Sequence, residues 1–104
     1  MLDGFVKVAA CSPELKVADC EYNCDKMIEK AQKMSCEGAK VLVFPELCLT
    51  GYTCGDLFLQ DRLLNGAMEG LERFATETKA CDTLFSVGLP LLHRGRLYNV
   101  AAVV

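Results

Sequence analysis

The chain reads as an α/β protein with the element order β-α-β-α-β-β. Three observations carry that reading. Two stretches repeat apolar residues at three- and four-residue intervals, short apolar runs rich in small and β-branched residues lie before, between and after them, and Gly, Pro or Asp punctuates the junctions. At 104 residues, 52% of them hydrophobic, the sequence suits one modest domain with a single core.

The first run, Phe5-Val6-Lys7-Val8-Ala9-Ala10-Cys11, predicts a largely buried strand that Ser12-Pro13 ends, because proline brings no N–H to a ladder. Asp19 is placed to cap a helix with Glu21 in its first turn. Cys24, Met27, Ile28, Ala31 and Met34 form its apolar stripe, Lys26, Glu29, Lys30 and Lys33 its wet face, and Gly38 its stop. The Met and Cys stripe is read as core packing.

Val41-Leu42-Val43-Phe44 shows no polar alternation, the pattern of a strand buried on both faces of a parallel sheet. Strand, helix and strand then make one right-handed βαβ unit. After a loop loosened by Gly51 and Gly55, Asp56 is a cap for a helical region through Leu57-Phe58-Leu59 that continues from about Asp61 to Lys79. Its stripe is Leu63, Leu64, Ala67, Leu71, Phe74 and Ala75; Gly66 and Gly70 inside it imply a kink or close packing. Leu84 to Gly88 predicts a third strand, and Leu91-Leu92-His93, Arg94-Gly95, Arg96-Leu97-Tyr98 a turn between two strands. Tyr98 to Val104 predicts a fourth strand that meets the last residue without a turn or polar tail, so the polypeptide is expected to continue beyond it.

Bulk properties narrow the function. The net charge of −3, with no basic stripe, argues against nucleic-acid binding. No apolar run approaches the ~20 residues of a membrane helix, and the first residues lack the basic and apolar regions of a signal peptide. The seven cysteines are scattered, which favours free thiols acting as small core hydrophobes in a reducing cytoplasm. Cys20-x3-Cys24 with a distant His93 falls short of the paired spacing of a structural zinc site, so no metal is expected.

Glu46 is the residue most suggestive of chemistry. It follows Pro45 at the tip of an apolar strand and precedes Leu47, so it is expected in apolar surroundings that suit a general base or acid. The alternative is a loop glutamate whose oxygens accept from nearby backbone amides.

Phe44-Pro45-Glu46-Leu47 followed by Thr50-Gly51-Tyr52 resembles the nitrilase superfamily of carbon–nitrogen hydrolases. The longer string through Thr53-Cys54-Gly55-Asp56-Leu57-Phe58 is more specifically similar to the glutaminase domain of glutamine-dependent NAD(+) synthetases. Gly4-Phe5-Val6-Lys7-Val8-Ala9-Ala10, Val87-Gly88-Leu89-Pro90 and Leu97-Tyr98-Asn99-Val100-Ala101 agree, so the resemblance spans the chain from 1 to 104. It implies the N-terminal half of an α-β-β-α sandwich and a Glu-Lys-Cys mechanism for hydrolysing glutamine. Glu46 matches the general base; Tyr52 matches a residue lining the glutamine pocket, or alternatively is an aromatic wedge that packs its loop.

The family's catalytic lysine and nucleophilic cysteine match no residue here, Cys48 and Cys54 included. The ATP- and Mg-dependent synthetase domain, which amidates nicotinic acid adenine dinucleotide, has no counterpart either. The resemblance therefore implies that these 104 residues alone are inactive. It also implies an apolar sheet face left open in the fragment, and with it homo-oligomers. An amidase or carbamoylase of the same superfamily, or a non-catalytic interaction module on its scaffold, are the alternatives.

Overall fold

A computed structural model describes residues 5–51 and 61–104. Strands β1 (Val8–Ala10), β2 (Val41–Val43), β3 (Leu84–His93) and β4 (Arg96–Val103) form one sheet in that order; helix α1 (Cys20–Cys36) lies between β1 and β2, and α2 (Asp61–Glu77) between β2 and β3. β1, β2 and β3 run parallel and β4 returns antiparallel, the mixed α/β arrangement that the element order predicts.

Both helices pack on one face of the sheet. From α1, Cys24, Met27, Ile28 and Ala31 are buried as their spacing predicts, and Asp19 caps the helix by accepting from Tyr22 N at 3.0 Å. Gly38, at φ 92°, ends the helix in the left-handed region that glycine enters without a Cβ penalty. Gly66 and Gly70 mark close packing. A Cβ at Gly70 would lie 3.1 Å from Leu49 Cδ2, and the Cys24 thiol donates to the Gly70 carbonyl at 3.2 Å. Across the helix surface Arg73 joins Asp25 of α1 and Glu77, the latter at 2.7 Å.

The other face of the sheet is open, which corrects the expectations that the first strand is largely buried and that Val41 to Phe44 is buried on both sides. Val8, Val43, Leu84 and Val103 are 65%, 44%, 51% and 70% exposed, while Leu42 and Phe44 of alternate parity are buried. The cause is geometric: both described helices cover the same face, and an all-apolar run cannot say whether its second face has a partner.

β3 continues beyond the predicted strand end at Gly88, through Pro90, to His93. The register shows why a proline is tolerated. Phe85 and Val104 exchange both backbone hydrogen bonds, at 3.0 and 2.9 Å, so Pro90 falls opposite Asn99 in a pair where its nitrogen points away from β4. Arg94 and Gly95, at φ 51° and 77°, then form the two-residue hairpin turn with both residues left-handed. The expected cap at Asp56 and helical turn at Leu57-Phe58-Leu59 lie outside the described residues.

Candidate functional site

β2 sits between β1 and β3, so its carboxyl end opens near the middle of the sheet, where ligands of parallel α/β sheets gather. Phe44 is tied down there, its N–H donating to Ser86 O at 3.0 Å and its ring buried against the helices. Pro45 then breaks the ladder, and the chain turns over β3 through Glu46 and Leu47. Leu47 takes φ 50°, an uncommon conformation for a residue with a Cβ, and its carbonyl accepts from Thr50 N and Gly51 N at 3.2 and 2.7 Å.

Three contacts fix this turn. Gly88 of β3 lies directly beneath it, and only a residue without a Cβ fits, since a Cβ would stand 2.5 Å from Leu47 N and 2.7 Å from Pro45 O. Cys48, buried, accepts from Gly88 N at 3.3 Å and donates to Gly88 O at 3.5 Å. Asn23 of α1 is the third anchor. Its amide nitrogen donates to Leu49 O and Lys16 O at 2.9 and 2.8 Å, and its oxygen accepts from Lys16 N at 2.7 Å. This residue staples the loop before α1 to the loop after Glu46, and sequence reasoning missed it. The signal was present: Asn23 shares the helix face of Cys20 and Met27, where a polar side chain is buried and must find partners.

Glu46 stands exposed at the crest of the turn. The apolar enclosure expected around it is not supplied by the described residues. Instead its side lines an open cleft of about 300 Å³ together with Phe44, Ser86, Gly88, Asn99 and Ala101. Ser86 and Asn99 are site residues that the sequence did not single out, because β4 brings Asn99 to the cleft only through the hairpin register. Tyr52, the expected pocket residue, and Cys54 lie outside the described residues.

The thiol nearest to Glu46 in sequence is not poised for attack. Burial pushes Cys48 up to about 11, only partly offset by hydrogen bonds from the backbone, so it is a protonated thiol at neutral pH. Burial likewise pushes Cys24 up to about 11 against the opposing pull of Arg73. Both serve the core as the sequence predicts. The described residues thus place one carboxylate at the mouth of a cleft, with a hydroxyl and a carboxamide on its wall. Such a set can take up a proton and hold a polar group, but Cys48, the thiol packed beneath the turn, is not an activated nucleophile.

Among the described residues no helix is long and apolar enough to cross a membrane, and no group of three or more His, Cys, Asp or Glu is placed to hold a metal ion.

Comparison with known proteins places this geometry. The carbon–nitrogen hydrolase family model matches residues 7–104. A glutamine-dependent NAD(+) synthetase from Mycobacterium bovis is 40% identical over 101 residues, covering 97% of this chain and 15% of that protein. The corresponding enzyme from Aquifex aeolicus is 34% identical over 88 residues, 85% of this chain and 15% of its own length. Among solved structures, a glutamine-dependent NAD(+) synthetase from Cytophaga hutchinsonii superposes with a TM-score of 0.83 at 31% identity, over 91% of this chain and 16% of that one. An amidase from Nesterenkonia sp. shares the fold, with a TM-score of 0.69 at 20% identity over 90% of this chain and 36% of its own. The chain spans about 15% of the length of the curated relatives it matches. With the family match running through nearly all of it, and with a glutamate at the carboxyl end of the second strand of a nitrilase-like sheet, the chain belongs to the carbon–nitrogen hydrolase family.

Proposed function

We propose that this chain is the N-terminal part of the glutaminase domain of a glutamine-dependent NAD(+) synthetase, and that Glu46 is its general base. The observation that carries the reading is the coincidence of 40% identity to such an enzyme with a cleft that presents the carboxylate of Glu46. In that role Glu46 takes the proton from a cysteine thiol as it attacks the carboxamide carbon of glutamine, and a lysine stabilises the developing oxyanion. Both partners come from chain beyond this segment. Tyr52 is proposed as a wall of the glutamine pocket. ATP and Mg act in a separate synthetase domain, where released ammonia amidates nicotinic acid adenine dinucleotide. The setting is cytoplasmic, in keeping with the free thiols at Cys11, Cys20, Cys24, Cys36, Cys48 and Cys81.

The test uses two nitrogen sources. In a full-length synthetase carrying this segment, Glu46→Gln should lower glutamine-supported NAD formation by about 10²–10⁴-fold, the usual contribution of a general base, and leave ammonia-supported formation unchanged. Equal losses with both sources would remove Glu46 from the glutaminase chemistry. The 104-residue chain alone should release no ammonia from glutamine.

The open sheet face is proposed as the surface through which isolated copies associate. Its exposed Val8, Val43, Leu84 and Val103 form a patch of the kind that monomers seldom leave uncovered. Light scattering should give a mass that rises with concentration, and Val43→Lys should reduce that rise by placing a charge at the patch centre. A constant monomer mass with no binding of an apolar dye rejects the surface.

A further inference from the structure

Glu46 is exposed, so packing does not hold it in place. Its position is set by the backbone on either side. Upstream, Phe44 N donates to Ser86 O at 3.0 Å and the Phe44 ring is buried. Downstream, Leu47 O accepts from both Thr50 N and Gly51 N, which closes residues 47–51 into a unit that moves together. Whatever fixes that unit fixes the far end of the Glu46 segment.

Leu49 is where it is fixed. Its N–H donates to Gly88 O of β3 at 3.2 Å, and its carbonyl accepts from Asn23 Nδ2 of α1 at 2.9 Å. The same carboxamide donates to Lys16 O at 2.8 Å and accepts from Lys16 N at 2.7 Å. Ala18 N donates to Thr50 O at 2.7 Å, and a Cβ at Gly51 would meet Leu15 Cδ1 at 3.2 Å, so the loop before α1 packs against the loop after Glu46. Asn23, 1% exposed, joins both loops to a regular helix.

Packing alone would place an apolar residue here, as at Cys24 and Met27 on the same face. A carboxamide instead spends its acceptor and both donors on backbone groups of two loops. A buried polar network satisfied in this way specifies one arrangement of the segments it joins. One arrangement is what a general base requires, since its contribution depends on where it stands. Asn23 lines no part of the Glu46 cleft, so it acts through the backbone. We propose that Asn23 is a positioning residue for Glu46, holding the base over β3 by gripping Leu49 O from α1. The assignment rests on the reading of Glu46 given above and deepens it.

The test is a double-substitution cycle in a full-length synthetase carrying this segment, read with glutamine and with ammonia as nitrogen source. Asn23→Ala should lower the glutamine-supported kcat by about 10²-fold, the loss that a displacement near 1 Å brings. KM for glutamine should stay nearly constant, the mark of an interaction felt in the reaction and not in substrate binding. Ammonia-supported kcat should hold. In the Glu46→Gln background Asn23→Ala should cost little more, because a base that is gone cannot be misplaced. Asn23→Ser, too short to reach both loops, should fall between the unmodified enzyme and Asn23→Ala. Ile28→Ala removes buried volume from the same helix but none of these hydrogen bonds, so it should lower the thermal midpoint without separating the two nitrogen sources.

Unchanged glutamine-supported kcat in Asn23→Ala overturns the assignment and leaves the role of Glu46 standing. A further loss of similar size in the Glu46→Gln background also overturns it, since Asn23 would then be a general support of the domain. If Asn23→Ala yields no folded enzyme, Asn23→Ser is judged by the same two criteria. Failure of Glu46→Gln to separate the two nitrogen sources is the distinct result that removes Glu46 from the chemistry, and this assignment with it.

Discussion

Phe74→Ala is expected to lower the unfolding free energy by about 3–5 kcal/mol, the range for deleting a buried phenylalanine from a packed core. Phe74 is fully buried and meets two other rings edge-to-face, Phe44 at 5.8 Å and 89° and Phe85 at 5.2 Å and 86°. Such pairs contribute about 0.5–1.5 kcal/mol beyond the area they bury. The three rings come from α2, from the residue that follows β2 and from β3, so truncating the middle one opens a cavity where the helix meets the sheet. For a domain whose whole stability is about 5–15 kcal/mol, the loss is a large fraction. Urea unfolding followed by far-UV circular dichroism should show the midpoint falling steeply, whereas Leu71→Ala, only partly buried on the same helix, should lose much less. A loss below about 1 kcal/mol for Phe74→Ala would show that the aromatic trio is not the core's centre. Phe44 directly precedes Pro45 and Glu46, so the same substitution should loosen the anchor of the candidate base.

How much of this was legible in advance follows from the range of each interaction. Helix α1 was legible in its stripe, its Asp19 cap and its Gly38 stop, because each is decided within a few residues. So was the hairpin, where Arg94-Gly95 meets the local demand of a two-residue turn. Glu46 could be located as a strand-tip carboxylate because a proline after an apolar run is a local stop. Its surroundings could not be read, since Ser86, Gly88 and Asn99 reach it only through strand register. Val41 to Phe44 was read as buried on both sides, yet an all-apolar strand carries the same letters whether or not its second face is covered. The third strand was read only as far as Gly88, yet it runs on through Gly88 and Pro90 to His93. The structure accommodates them because the nitrogens of both point away from β4, and the Gly88 N–H instead meets the Cys48 sulfur. Asn23 was overlooked because its partners, Lys16 and Leu49, belong to two different loops.

Gly88→Ala should do more harm to the site than to the fold. The added methyl would sit 2.5 Å from Leu47 N, 2.7 Å from Pro45 O and 3.0 Å from Glu46 C. All three are backbone atoms, so no rotamer change relieves the clash; either the turn lifts or β3 bends. Overpacking of this kind costs about 1–3 kcal/mol, a sum that thermal unfolding would register as a moderate decrease. The turn is the softer of the two elements, because β3 is held along its length by β4 while the turn rests on Leu49 N, 3.2 Å from Gly88 O, and on the Cys48 thiol. Lifting it carries Glu46 away from the cleft. A displacement near 1 Å is enough to cost about 10²-fold in a reaction that depends on a positioned base, so glutamine-supported turnover in a full-length synthetase should fall by that order while ammonia-supported turnover holds. Gly38→Ala supplies the contrast. It strains a left-handed glycine but meets nothing within 4 Å, so it should reduce stability without separating the two nitrogen sources. If Gly88→Ala instead lowered stability and left glutamine-supported turnover intact, the close approach of the turn to β3 would be a packing detail. The position of Glu46 would then have to be set from its other side, through Asn23 and the loop that precedes α1.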